Sequence, residues 1–205
     1  MLLKINPNRM ELLKLKKRLI VAKRGHKLLK DKRDALIQEF IRLAKESKKV
    51  REELEEKLLN CYQVFSNVSS QMSKVSLEEA LMFPKAKTEA VISYKNIMSV
   101  KVPRYKYKCE GKYHTYSLVD TTAEIDNAVS NFYLIMPLML RVAELDKTIN
   151  LLADEIEKTR RRVNALEYIL IPDLEETIKF ITMKLDEMAR STISAIMRIK
   201  EIIRA

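Results

Sequence analysis

Leu12–Cys61 reads LLKLKKRLIVAKRGHKLLKDKRDALIQEFIRLAKESKKVREELEEKLLNC, and its spacing decides the fold. Stepping alternately by three and four residues gives Leu12, Leu15, Leu19, Ala22, His26, Leu29, Arg33, Leu36, Phe40, Leu43, Ser47, Val50, Leu54, Lys57 and Cys61. Eleven of these fifteen are apolar, over seven heptads, and no proline interrupts Asn8 to Leu81. A globular helix rarely keeps such a stripe for so long, so the spacing predicts a coiled-coil seam. The helix is expected to begin at Asn6-Pro7-Asn8, with Asn as cap and Pro in the first turn. If continuous to about Gln71, it is on the order of 100 Å long at ~1.5 Å per residue.

The other end of the chain repeats the pattern. From about Thr121, the seam reads Ile135, Leu138, Val142, Leu145, Ile149, Leu152, Ile156, Thr159, Val163, Leu166 and Leu170. It then slips by one residue around Pro172 and resumes at Ile178, Ile181, Leu185, Met188, Thr192, Ala195, Ile199 and Ile202. Pro172 lacks a backbone donor, so a bend or stutter is expected there, and another at Pro137. Each helix has one apolar stripe and needs a partner. The simplest is the other helix of the same chain, antiparallel. A parallel homodimer stays open, weakly opposed by the polar seam positions His26, Arg33, Ser47 and Lys57.

Between these segments the period changes. A short helix over Ser76–Phe83 ends at Pro84. Ile92, Tyr94, Met98, Val100 and Val102 alternate with polar residues, which predicts a strand broken by Pro103. Arg104–Cys109 and Lys112–Ser117 flank Glu110-Gly111 as an expected hairpin. The expected fold is mainly α: a long antiparallel two-helix coiled coil with a small central β-hairpin module. Its parts are residues 1–74, 75–120 and 121–205. Two or three strands need another surface, so the module is a candidate docking site for a second protein.

Composition removes several function classes. The chain has two glycines, Gly25 and Gly111, too far apart for any phosphate-cradling glycine loop. Two cysteines (Cys61, Cys109) and two histidines (His26, His114) give no zinc spacing and imply a reducing compartment. No signal peptide is read, and the longest apolar run, Phe132–Leu140, is too short for a membrane helix. No nucleophile–base constellation appears, so no catalytic residue, metal ligand or cofactor is assigned. Gly25 inside the first helix points to a close helix crossing or to a neutral substitution.

The charge is concentrated. The first 50 residues hold 16 Lys/Arg and five acids, which accounts for the whole net charge of +11. That is either a solvated helix face or a contact with something acidic. Arg160-Arg161-Arg162 is a second basic cluster, spread around its helix. Arg104-Tyr105-Lys106-Tyr107-Lys108 interleaves basic and aromatic residues; it fits an edge hairpin guarded by lysine, and less well a nucleic-acid stacking platform.

Four stretches resemble the D subunits of the V-type/A-type rotary ATPases: Asn6–Leu19, Arg24–Asp34, Lys95–Pro103 and Glu155–Tyr168. The resemblance implies a non-catalytic central rotor shaft on the cytoplasmic side of a membrane-bound complex, touching the membrane only indirectly. Its helices would enter a ring of catalytic A and non-catalytic B subunits. The central module would bind the small F subunit of the stalk, and a further protein would link it to the membrane rotor ring. On that reading Arg9, Lys16, Lys17, Arg24, Lys27, Arg160, Arg161 and Arg162 are candidates to face the ring. Tyr94, Met98, Val100, Val102, Tyr105 and Tyr107 are candidates to face the small stalk protein. The alternative is a basic coiled-coil nucleic-acid-binding or scaffold protein.

Overall fold

In a computed structural model of the chain, residues 6–82, 85–111, 116 and 121–204 are described. The elements are α1 (Arg9–Gln71), α2 (Lys74–Leu81), β1 (Lys87–Ile97), β2 (Val100–Glu110), α3 (Glu124–Ala165), a π-helical turn (Leu166–Leu170) and α4 (Ile171–Arg204). The mainly α fold with a long N-terminal helix, a long C-terminal helical segment and an antiparallel hairpin agrees with the sequence pattern.

α1 starts two residues later than expected. Asn8, not Asn6, is the cap: its carbonyl accepts the Leu12 N–H at 3.0 Å, and its side-chain oxygen accepts from the Met10 N–H. The buried residues of α1 are Leu15, Leu36, Leu43, Ser47, Leu54, Cys61 and Val68. All but Val68 lie on the predicted seam, and Val68 continues it one heptad on. Lys57 is the one exposed seam position, paired with Glu53 at 2.6 Å.

Two compact units divide the chain: residues 1–35 with 156–205, and residues 36–155. In the first, α1 and α4 run antiparallel around Leu15, Leu174 and Ile181, with Leu12, Leu19, Ala22, Ile178 and Leu185 packed against them. Lys23 meets Glu175 at 2.7 Å, and His26 meets Glu167 at 3.3 Å. The seam slip at Pro172 has a physical form here. The Ile171 N–H bonds to the Leu166 carbonyl, five residues back, which makes one wide turn just ahead of Pro172. That extra residue relieves the proline ring's conflict with the preceding turn. Beyond it, burial resumes at Leu174, Thr177 and Ile181. Pro137, by contrast, sits exposed inside a continuous α3.

In the second unit α1 and α3 are again antiparallel. Leu54 and Cys61 pack with Ile135, and Val68 packs with Ile125 and Ala128. Two of the buried polar residues donate side-chain hydrogen bonds. Ser47 donates to Asp146 at 3.1 Å, and Thr148 donates to the Glu144 carbonyl at 2.7 Å. By length and composition Glu124–Arg204 includes a stretch apolar enough to cross a membrane; Ile125, Ala128 and Ile135 within it are buried against α1.

The hairpin differs from the expectation. β1 and β2 pair antiparallel from Ile97↔Val100 to Lys87↔Glu110, so the turn is Met98-Ser99 and not Glu110-Gly111. Both turn residues have positive φ, 48° and 73°, which a two-residue hairpin turn requires. Pro103 lies inside β2 opposite Tyr94. With Ile97 and Val100 as the closing bonded pair, alternation makes Tyr94/Pro103 a non-bonded pair. The missing N–H therefore points away from β1, where no ladder bond is lost. Residues 112–115 and 117, which include His114, lie outside the described residues, as do Phe83 and Pro84.

The close crossing suggested for Gly25 is absent: a Cβ built there meets nothing within 4 Å.

Candidate partner-binding surfaces

The basic N-terminal quarter forms a stripe. At about 100° per residue, Arg9, Lys16, Lys23 and Lys27 fall within about 40° of one another around α1, with Lys17 and Arg24 beside them. Arg9, Lys16, Lys17, Arg24 and Lys27 are exposed, and none has an ion-pair partner among the described residues. Neighbouring cations are held differently: Lys14 pairs with Glu11 at 2.7 Å, and Arg33 with Asp34 at 2.7 Å. Within the row Lys23 is held by Glu175 at 2.7 Å, and the unpaired cations on either side of it create a local positive field able to act on an approaching surface. Arg160, Arg161 and Arg162 are also exposed, and Arg161 is paired with Glu157.

The hairpin separates its predicted site residues. Val100 and Val102 are buried, at 9% and 4% exposure, so they form the hairpin's anchorage and not its outer surface. Tyr105 and Tyr107 are half-buried, and the Tyr107 ring meets Tyr133 edge-on at 6.0 Å. Burial and a hydrogen bond with Cys109 push the Tyr107 hydroxyl pKa above its ordinary value. These rings are not laid open as a stacking platform. Tyr94 and Met98 are exposed, at 72% and 42%. Val91 and Ile92 are also exposed and lie with Tyr94 on β1, an edge strand with no buried residue, while Met98 is in the turn. The sequence pattern contained Ile92 but not the reason it matters: only the observed turn makes β1 the outer strand.

What fixes the hairpin is α3. Glu144 accepts the outward Tyr105 N–H at 3.1 Å through one oxygen and Arg141 at 2.8 Å through the other. Arg141 uses its other arm on Glu46 of α1, at 2.7 Å. A chain of charge-assisted bonds thus ties α1, α3 and β2 together.

A third surface is the end of α4. Every described residue from Asp186 to Arg204 is exposed. Ile193, Ile196, Met197, Ile199, Ile202 and Ile203 are among them. Among the described residues no group of three His, Cys, Asp or Glu is placed to hold a metal ion.

A paired-helix protein with a docked hairpin, a largely unneutralised cationic stripe and an uncovered apolar helix end is a helical component of the kind built to sit among other chains. The chain belongs to the family of ATP synthase D subunits, whose model matches residues 11–201. It is 51% identical over 201 residues to the V-type ATP synthase D subunit of Thermoanaerobacter sp. (strain X514), covering 97% of this chain and 96% of that protein. Against the V-type ATP synthase D subunit of Fusobacterium nucleatum subsp. nucleatum it is 50% identical over 205 residues, covering 98% and 97%. The corresponding protein of Clostridium novyi (strain NT) is 48% identical over 206 residues, with 98% and 95% covered.

Proposed function

We propose that this chain is the non-catalytic central-stalk component of a V-type/A-type ATP synthase or ATPase, a peripheral part of a membrane-bound complex on its cytoplasmic side. It carries torque between ATP hydrolysis or synthesis in an A/B ring and proton or sodium translocation in the membrane. The observation that carries the reading is the family match across nearly the whole chain. The paired helices support it mechanically. A shaft must be stiff, and a continuous heptad seam is the simplest stiff object a chain can make. It must also be asymmetric, so that similar sites around it meet different faces and are biased to different states.

A rotating contact cannot hold tightly at any one angle. Charged, solvated residues suit that better than a dry apolar interface, so Arg9, Lys16, Lys17, Arg24 and Lys27 are assigned to the ring, together with Arg160–Arg162. Tyr94 and Met98, with Val91 and Ile92, are assigned to the small F subunit of the stalk. A further protein couples the shaft to the membrane rotor ring, and nucleic acid is no partner.

The test is purification of the native protein. Co-elution with ATP-hydrolysing chains is expected; elution alone as a homodimer would reject the shaft for a scaffold. Neutralising Arg9, Lys16, Lys17, Arg24 and Lys27 in pairs is expected to reduce coupled ATP turnover. Unchanged assembly and coupling for every pair would remove the electrostatic contact.

A further inference from the structure

The hairpin, α1 and α3 enclose a cleft of about 230 Å³. Its walls carry four cations, Arg42, Lys95, Arg104 and Arg141, against two carboxylates, Glu46 and Glu144. Both carboxylates are already engaged. Arg141 holds each with one arm of its guanidinium, and Glu144 also accepts the Tyr105 N–H. Arg42 turns to Glu39 at 2.8 Å. Lys95 and Arg104 have no carboxylate partner among the described residues.

Strand register puts these two cations side by side. Lys95 pairs with Val102, and Arg104 lies two residues along β2, so the three side chains share a face of the hairpin. Val102, Leu43 and Leu145 line the same cleft, and all three are buried. Two unneutralised cations there repel each other until an anion enters.

We propose that the cleft binds a small phosphate-type dianion. Arg104 supplies a planar fork that matches two oxygens, and Lys95 supplies a point charge. Arg141, a single cation shared by Glu46 and Glu144, keeps both carboxylates of the cleft occupied. The volume equals about seven or eight waters at ~30 Å³ each. It lies below the ~300 Å³ at which sites for drug-sized ligands begin. That suits phosphate or pyrophosphate with part of its hydration.

The experiment is calorimetric titration of the full chain with inorganic phosphate and with pyrophosphate at low ionic strength, beside chloride at matched ionic strength. Saturable one-site binding of the oxyanions, with none for chloride, is expected. Melting temperature should rise with probe concentration, because the ligand binds the folded state. Lys95→Gln and Arg104→Gln should each weaken binding roughly tenfold or more. Arg104→Lys should weaken it less than the Gln variant, and Lys101→Gln, on the opposite face of the hairpin, should leave it unchanged. Both cations are exposed, so melting curves are expected to show the variants folded. No saturable heat with millimolar probe overturns the proposal, as does equal affinity in Arg104→Gln. If neither probe binds but the Gln variants lose an acidic partner protein on purification, the cleft seats a protein side chain and the proposal also falls.

Discussion

Glycine inside a long helix gives up more backbone freedom on folding than alanine and leaves its peptide groups open to water. Gly25 is such a residue, and a Cβ there would meet nothing within 4 Å. Neither packing nor φ requires it, so Gly25→Ala should stabilise the chain by about 1 kcal/mol. For a chain of this size that is a rise of roughly 2–4 °C in Tm, read from a thermal melt. A fall would mean that some contact needs the bare backbone. The two cysteines make a second residue-scale case. Cys61 is 1% exposed, and burial pushes its thiol pKa above the ordinary value, so less of it is thiolate at any working pH. Cys109 is half-buried on the hairpin. Native-state alkylation at mildly alkaline pH should therefore modify Cys109 first, and Cys61 only as fast as α1 and α3 separate. Equal rates would contradict the packing of Cys61 with Ile135.

At the scale of elements, the hairpin hangs on few bonds. Two strands alone are marginal, and β2 is held to α3 where Glu144 takes the Tyr105 N–H. Glu144→Ala removes that acceptor and one partner of Arg141, a loss of ~1.5–3 kcal/mol for bonds to a charged group. Hairpin amides should then exchange roughly ten- to hundredfold faster with solvent. Glu144→Gln, which keeps an acceptor, should lie between the two, and α1 amides near Leu36 should not change. The same elements show what a sequence can and cannot disclose. The seam was legible because heptad spacing maps directly onto burial; even the slip at Pro172 could be read, and its cause is one wide turn. The position of the hairpin turn was not legible. Met98-Ser99 offers neither glycine nor asparagine at its positive-φ positions, whereas Glu110-Gly111 carries the usual signal. Pro103 read as a breaker because sequence does not say which way a missing N–H points. The cleft could not be found either, since Lys95 and Arg104 become neighbours only once that turn is placed. Among candidate contact residues, the excess charge of α1 was plain in composition, while the burial of Val100 and Val102 needed the fold.

For the molecule as a whole, the decisive question is what α4 does beyond its own packing. Leu185 is the last residue in contact with the cluster of Leu15, Leu174 and Ile181. From Asp186 on, every described side chain is exposed, with Ile196, Ile199 and Ile203 forming a stripe at helical spacing. An apolar stripe with no partner among the described residues adds nothing to the folded stability they confer, yet it exposes isoleucine to water. Deleting Ser191–Ala205 should therefore leave the Tm unchanged, since no buried residue among the described ones is removed. If the chain works as a shaft, the same deletion should weaken its retention in an ATP-hydrolysing complex, or let ATP turnover run without ion transport. The two measurements separate the roles of the segment. A lowered Tm with normal coupling would mean that the tail packs within its own chain, whereas an unchanged Tm with lost coupling would locate a bearing surface in the last turns of α4. Full retention and full coupling after deletion would leave the stripe without a mechanical role, and the cationic face of α1 would have to carry the contact with the ring alone.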